Sequence, residues 1–306
     1  MALTLAEGAK LSNDLLLQGV IEEIIYDSPI LQRLPFIEVV GNALTNNREL
    51  ALPSIDFHAV GDVWTESTPT FTPITATLRI MGGDADVDNY IKGTRSNVQD
   101  IEAAVIALKA KALAQKFDEM FIYGDHTTNP NEFDGIRLTL DTETAGSQIL
   151  AMGATGATLT LAKLDEMIDK VKGGRPDMLL MSKRSRRKMV GLARTAGTNL
   201  QIQQGLLGQQ VLAYGEIPIG VSDWILDTHT LVGSVETLTT GATSSVIYAL
   251  RFGEGALCGI TGPGGMNVER IGQLETKDAT RTRIKWYTSI CLFSTVSAAA
   301  LIGVTD

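Results

Sequence analysis

RELALPSIDFHAVGDVWTESTPTFTPITATLRIMGG, Arg48 to Gly83, is rich in Thr, Val, Ile and Phe, is punctuated by Pro and Gly, and carries no helical period. That texture predicts extended strands. Thr70, Thr72, Thr75 and Thr77 interleave with Phe71, Ile74, Ala76 and Leu78, as along one strand of a long hairpin whose tip holds VGDVWTESTP. A two-stranded arm of this kind has little core of its own and is marginal alone in water. It is expected to lie against another surface, such as a second subunit. Trp64 and Glu66 at the tip and Phe71 on the strand are the expected contacts, because an indole on an exposed arm needs a partner to cover it.

Beyond the arm, Val98, Ile101, Val105, Leu108, Ala112, Phe117 and Phe121 recur at steps close to a helical period. They predict one helix from Asn97 to Tyr123, roughly 40 Å long, with Asp100 and Glu102 at the positive end of its dipole. At its end, FIYGDHTTNPNEFDGI (Phe121–Ile136) packs Asp125, His126, Glu132 and Asp134 close together and raises the question of a metal. The spacing does not follow a calcium loop, and the chain has only His58, His126 and His229 to offer zinc. Gly124 with Asn129, Pro130 and Asn131 reads better as a helix-exit turn. No catalytic constellation is expected elsewhere. No Ser sits in G-x-S-x-G, and Asp84, Asp86 and Asp88 alternate as a strand edge or a polar turn would, a solvated face in either case. GPGGM (Gly262–Met266) lacks the Lys-Ser/Thr of a P-loop and reads as a turn between modules.

Between these parts lies a mixed α+β module. Thr160 can cap a helix bearing Leu161, Leu164, Ile168 and Val171, closed by Gly173 and Gly174. MLLM (Met178–Met181) reads as a buried strand, KRSRRKMVGLAR as a short helix, and IYALRFG and ALCGI as strands separated by GEG. The basic run Lys183–Lys188, with Arg184 and Arg187, suits a subunit contact or a solvated face better than nucleic acid. From Met266 the pattern returns to strand alternation, with Ile284, Trp286, Ile290 and Leu292 expected beside the long helix.

The bulk numbers agree with a folded chain whose task is not to grip phosphates: 44% hydrophobic and 20% charged residues, with a net charge of −9. Cys258 and Cys291 lack ligand spacing and are expected as reduced, buried thiols of an intracellular product. The first twenty residues carry Glu7, Lys10 and Asp14 and read as an amphipathic helix, not a secretory signal. Ser289–Val304 is apolar or small for only 16 positions, too few to span a membrane.

Taken in order, VWTESTPTF in the arm, the helix ending in FIYGD, the following DGI, LLMSKRSRRKMVGLA, YGEIPIGVSDWI and RFGEGALCGI resemble the major capsid proteins of tailed bacteriophages. Each motif is short, and their shared order from about Pro35 to Gly303 carries the resemblance. It implies an α+β, HK97-like capsid fold with an N-terminal arm (1–40), an extended β-hairpin loop (41–94), a peripheral domain holding the spine helix (95–154 and 266–306) and an axial domain (155–265). It implies a structural protein, not an enzyme, with no catalytic residue, cofactor or metal. Such a chain would self-assemble as pentamers and hexamers into an icosahedral shell around double-stranded DNA, without reading its sequence. A portal protein, a separate scaffolding protein and a decoration protein are the partners it suggests, with no membrane. Assembly would take place in the host cytoplasm, with the virion as the final location. Some family members join subunits through a lysine of the extended loop, but Gly41 to Ile91 contains no lysine, so no such cross-link is expected here. An encapsulin-type compartment shell around a cargo protein is the alternative. A metal-dependent hydrolase built on Asp125, His126, Glu132 and Asp134 is the remote one.

Overall fold

The structure, a computed structural model, describes residues 28–90, 101–195, 197, 201–204, 210–232, 235–238 and 243–305. The expected amphipathic N-terminal helix, most of the expected N-terminal arm and the first turn of the expected spine lie outside the described residues. In chain order the elements before the spine are β1 (Phe36–Glu38), β2 (Ala43–Ala51), β3 (Thr70–Thr77) and β4 (Arg79–Asp88), and the spine itself is α1 (Ile101–Tyr123). After it come α2 (Ile136–Thr144), β5 (Ile149–Ala151), β6 (Ala157–Thr158), α3 (Leu161–Lys170), β7 (Met178–Met181) and α4 (Lys183–Thr195). The rest is β8 (Gln201–Gln204), β9 (Gln210–Tyr214), β10 (Ile217–Val221), β11 (His229–Val232), β12 (Val235–Leu238), β13 (Ser245–Leu250), β14 (Leu257–Gln273), β15 (Ala279–Leu292) and β16 (Ala298–Thr305).

Helix α1 spans 23 residues, about 35 Å at 1.5 Å per residue. Its buried side is Ile106, Ala110, Leu113, Ala114, Phe117, Met120 and Phe121. The expected stripe holds at Phe117 and Phe121 but is rotated further up, where Leu108 and Ala112 face outward. Apolar residues occur on every side of this helix, so several stripes of helical spacing can be drawn. Only the sheet beneath it selects one.

That sheet has four strands in the order β1-β14-β15-β4. Phe36, Phe117 and Trp286 bring β1, α1 and β15 together: the rings of Phe117 and Trp286 stack at 5.0 Å, and Phe36 lies 5.3 Å from Trp286. The indole N–H donates to Thr261 Oγ1 of β14 at 3.1 Å, so the largest fully buried side chain leaves no polar atom unpaired. β14 and β15 form a long antiparallel ribbon in which Ile284, Trp286, Ile290 and Leu292 are buried, as their alternation predicts. GPGGM is not a turn between modules. It lies inside β14, where five steps from Thr261 to Met266 face only two steps of β15, from Thr288 to Trp286. The extra residues bulge out because pairing resumes on both sides.

The second sheet runs β5-β16-β13-β7-β10-β9-β8, with β6 beside β16. All four residues of β7 are buried, since both faces of the sheet are covered. Met178, Leu180, Tyr248 and Ala300 face the core shared with α1 and α2, while Leu179, Met181, Ile247 and Leu301 lie under α3 and α4. Thr160 caps α3, its Oγ1 accepting from Lys163 N at 3.4 Å. The two sheets cross the expected division of the chain: β14 runs through residue 265, and β16 closes the sheet of β7 and not that of β15. No helix among the described residues is long and apolar enough to cross a membrane.

Trp286→Ala is expected to destabilise the fold by about 3–5 kcal/mol, seen as a lower denaturant midpoint, because it opens a cavity under three elements at once.

Candidate assembly surfaces

The arm forms as its sequence predicts. β2 and β3 pair antiparallel from Ala43 opposite Thr77 to Ala51 opposite Thr70. Eight or nine residues per strand carry the tip roughly 27–30 Å from the base. The base is seated: Leu44, Ala76 and Leu78 pack on the small cluster of Val39, Cys258, Ile260 and Cys291. Arg48 then ties the arm to the body. Its Nε donates to the Phe293 carbonyl at 2.8 Å, and its Nη2 donates to the Leu292 carbonyl at 2.5 Å and to Glu143 Oε2 of α2 at 2.6 Å. Sequence reading did not single out Arg48. Its signal was being the lone cation between Gly41 and Leu78, in a segment otherwise built for exposure.

Past Arg48 the arm is uncovered. Leu52, Ile55, Phe57, Val60, Val63 and Trp64 are all more than three-quarters exposed, and Phe71 is 59% exposed. Among the described residues Trp64 has one ring neighbour, His58, at 4.3 Å, and the indole stays 78% exposed. Glu66 is exposed beside it. At the turn, Asp62 Oδ2 accepts from Ala59 N at 2.6 Å, so the tip has a defined shape without a core. A concentration of exposed apolar side chains of this kind marks an interaction site.

The two arginines expected as contacts behave differently. Arg184 turns inward, donating to the carbonyls of Thr243 and Val304 and pairing with Asp227 at 3.7 Å. Arg187 stands on the outer side of α4, beside a shallow groove that it lines with Lys188, Gly191, Leu192 and Thr195.

Residues Asp125 to Asp134 form the helix-exit turn. Asp125 accepts from Thr127 N and Oγ1 and from Thr128 N and Oγ1, and these bonds, Thr127's side chain first, hold its pKa down at about 2. His126 Nδ1 meets Asp134 Oδ1 at 2.5 Å, and Asn129 Nδ2 donates to Glu132 Oε1. Each potential ligand already has a partner within the turn. Among the described residues no group of three or more His, Cys, Asp or Glu could hold a metal. Gly124 and Gly135 close the turn at a backbone approach where a Cβ on either would strike main-chain atoms at 2.2 and 2.7 Å.

Asp84 and Asp86 do lie on an edge strand, but their charges are paired. Arg283 binds Asp84 and Arg281 binds Asp86, each through two nitrogens at 2.6–2.9 Å, and these hydrogen bonds hold both carboxyls below their usual range. Cys258 and Cys291 face each other across β14 and β15 as free, buried thiols; burial pushes them up to about 12 and about 11. Neither is a poised nucleophile.

Residues 13–165 match the family described as major capsid protein GP7. Among solved structures, the chain is similar to the encapsulin of the holo-SrpI complex from Synechococcus elongatus PCC 7942, with 16% identity, a TM-score of 0.68, and coverage of 91% of this chain and 88% of that one. The capsid of a native GTA particle gives 14% identity and a TM-score of 0.63 over 91% of both chains. A structure from Mycobacterium phage Bobi gives 15% and 0.60 over 99% of both. No curated protein matches in sequence. The α+β, HK97-like architecture that the order of motifs implies is therefore the fold of this chain.

Two outcomes follow from this geometry. Arg48→Ala is expected to cost about 1–3 kcal/mol, with amide exchange rising in 43–51 and 70–77 before the rest of the chain. Asp125, titrated by NMR, is expected to have its midpoint near 2, and Thr127→Val to move it toward the ordinary 3.8. Because the folded value is the lower one, the stabilisation is complete above the unfolded pKa and is lost as pH falls through about 2.

Proposed function

We propose, from the premise that the chain belongs to the family of the major capsid protein GP7, that its uncovered arm completes a neighbouring subunit of a viral shell. The protein is a shell protein of the virion, and its role in that family is structural. The observation that carries the assembly reading is the arm itself: it is held at its base by Arg48, yet exposes six large apolar side chains over its outer part. A chain that presents such a surface is incomplete by itself.

In this reading subunits gather as pentamers and hexamers and close an icosahedral shell around double-stranded DNA. Residues 155–265 lie toward the centre of each ring, and 95–154 with 266–306 form the periphery, β16 lending its strand to the inner sheet. The net charge of −9 suits a wall that must not trap the polymer it encloses. A portal protein and a separate scaffolding protein, with a decoration protein outside, are the partners this role calls for, and assembly belongs in the host cytoplasm. Trp64, Glu66 and Phe71 are the arm's contact residues. The absence of lysine from Gly41 to Ile91 argues against a lysine-derived covalent cross-link, so the contacts are noncovalent.

The similarity to an encapsulin favours a second reading, a compartment shell around a protein cargo. The family match from residue 13 through the arm and spine favours the capsid. Nucleic acid inside particles made during infection supports the capsid reading; an enclosed protein and no nucleic acid supports the other.

Purified protein examined by electron microscopy and sedimentation velocity is expected to give closed shells or rings of five or six subunits. Trp64→Ala should leave the unassembled chain's melting temperature unchanged and weaken assembly by about 2 kcal/mol or more per contact. Shell yield equal to that of the parent chain would count against the arm as a contact.

A further inference from the structure

The shell reading leaves open where the arm lands, and two uncovered surfaces of the chain fit each other. Residues 52–69 at the tip carry Asp56, Asp62 and Glu66 with no Lys or Arg, among the exposed apolar side chains already described. The tip is therefore both apolar and anionic. Helix α4 is its opposite: Lys183, Arg184, Arg186, Arg187, Lys188 and Arg194 occupy thirteen positions that hold no acid. Lys183 pairs with Asp223 at 2.6 Å and Arg184 with Asp227. Among the described residues none pairs Arg186, Arg187, Lys188 or Arg194.

The same helix is notched. Gly191 sits in its interior, where glycine is disfavoured because it loses the most conformational freedom on folding. A close backbone approach often explains such a glycine, yet a Cβ at Gly191 would meet nothing within 4 Å of its own chain. The space opens outward as a shallow groove of about 400 Å³, with Leu192 giving it an apolar wall and Arg187 and Lys188 a basic rim. Phosphate binding would use the rim but has no need of the notch or of Leu192. An apolar, acidic segment uses all three.

We propose that the arm tip of one copy docks in the groove at Gly191 on α4 of a second copy. An apolar side chain of the tip fills the notch against Leu192, and Glu66 and Asp56 pair with Arg187 and Lys188. Tip and groove are different surfaces, so the contact is head-to-tail and propagates from copy to copy, the arrangement that closes a ring when the rotation allows. Burying the apolar part gives the contact its strength. The charge pairs set its register and oppose wrong partners.

The test uses the full-length chain, with assembled particles counted by sedimentation and electron microscopy. Gly191→Leu fills the notch while favouring the helix. It is expected to lower assembled yield at least tenfold with the unassembled chain melting no earlier, whereas a purely structural glycine would leave assembly intact. Arg187→Glu and Glu66→Lys should each lower the yield by a similar factor, and the double variant should recover at least half of it. Normal assembly of Gly191→Leu and Arg187→Glu overturns the pairing, as does a double variant no better than either single one. Arg187→Glu shells that form normally but hold less nucleic acid also overturn it, and assign α4 to the packaged polymer. A parent chain that forms neither rings nor shells overturns the shell reading itself, and the pairing with it.

Discussion

The packing of Trp286 against Phe117 and Phe36 is the constraint on which the rest of the molecule depends. It fixes the long helix across the four-stranded sheet and holds β1 parallel to β14. The chain leaves β1, passes Val39 and immediately starts the arm, and it returns from the arm straight into β4 at the other edge of the same sheet. Both ends of the hairpin are thereby anchored to one rigid platform. The direction in which the arm projects is set by a buried aromatic cluster, not by the arm's own residues.

From that platform outward the balance of forces changes. At the base, Arg48 gives up much of its hydration and regains it as bonds to two carbonyls and one carboxylate, the kind of multiply bonded charge that is costly to disturb. Beyond it no second sheet or helix among the described residues covers the two strands, and the ladder hydrogen bonds stand largely in solvent. Apolar residues that would be a liability on a monomer are concentrated there. A hairpin with a firm root and an unfinished tip can find a partner surface without the body having to deform. Ordering it in advance also reduces the entropy lost on contact.

How much of this was legible in the sequence follows from how local each signal is. The hairpin, the spine, the Thr160 cap and the buried strand Met178–Met181 are written in short-range periodicity and cap chemistry, and they stand where the residues put them. The phase of the helix stripe is not local: Leu108 and Ala112 have the right spacing, but the sheet lies on the other side. GPGGM looks like a terminator because glycine and proline usually are. It is overridden by pairing with β15 on both flanks, a contact between residues some twenty apart. The arginines opposite Asp84 and Asp86 are nearly two hundred residues away, so an alternating acidic strand could only be read as solvated. On the arm, exposure of Trp64 was foreseeable from its setting, whereas the anchoring role of Arg48 depends on carbonyls at the far end of the chain.

The distribution of charge carries the argument one step further. At −9 overall, copies of this chain repel one another at long range, and that repulsion is screened over about 8–10 Å at physiological salt. Much of the acidic charge near the sheet edges is already neutralised within the chain, at Arg281 with Asp86, Arg283 with Asp84 and Lys285 with Glu269. Such pairs leave little for a neighbour to recognise. Among the described residues, the arm tip carries acids and α4 carries bases that no ion pair within the chain neutralises. General repulsion with a local complementarity of this kind disfavours indiscriminate aggregation, and added salt weakens both terms together. The apolar area of the tip, which salt does not screen, then decides whether two copies stay joined once their charges have aligned them.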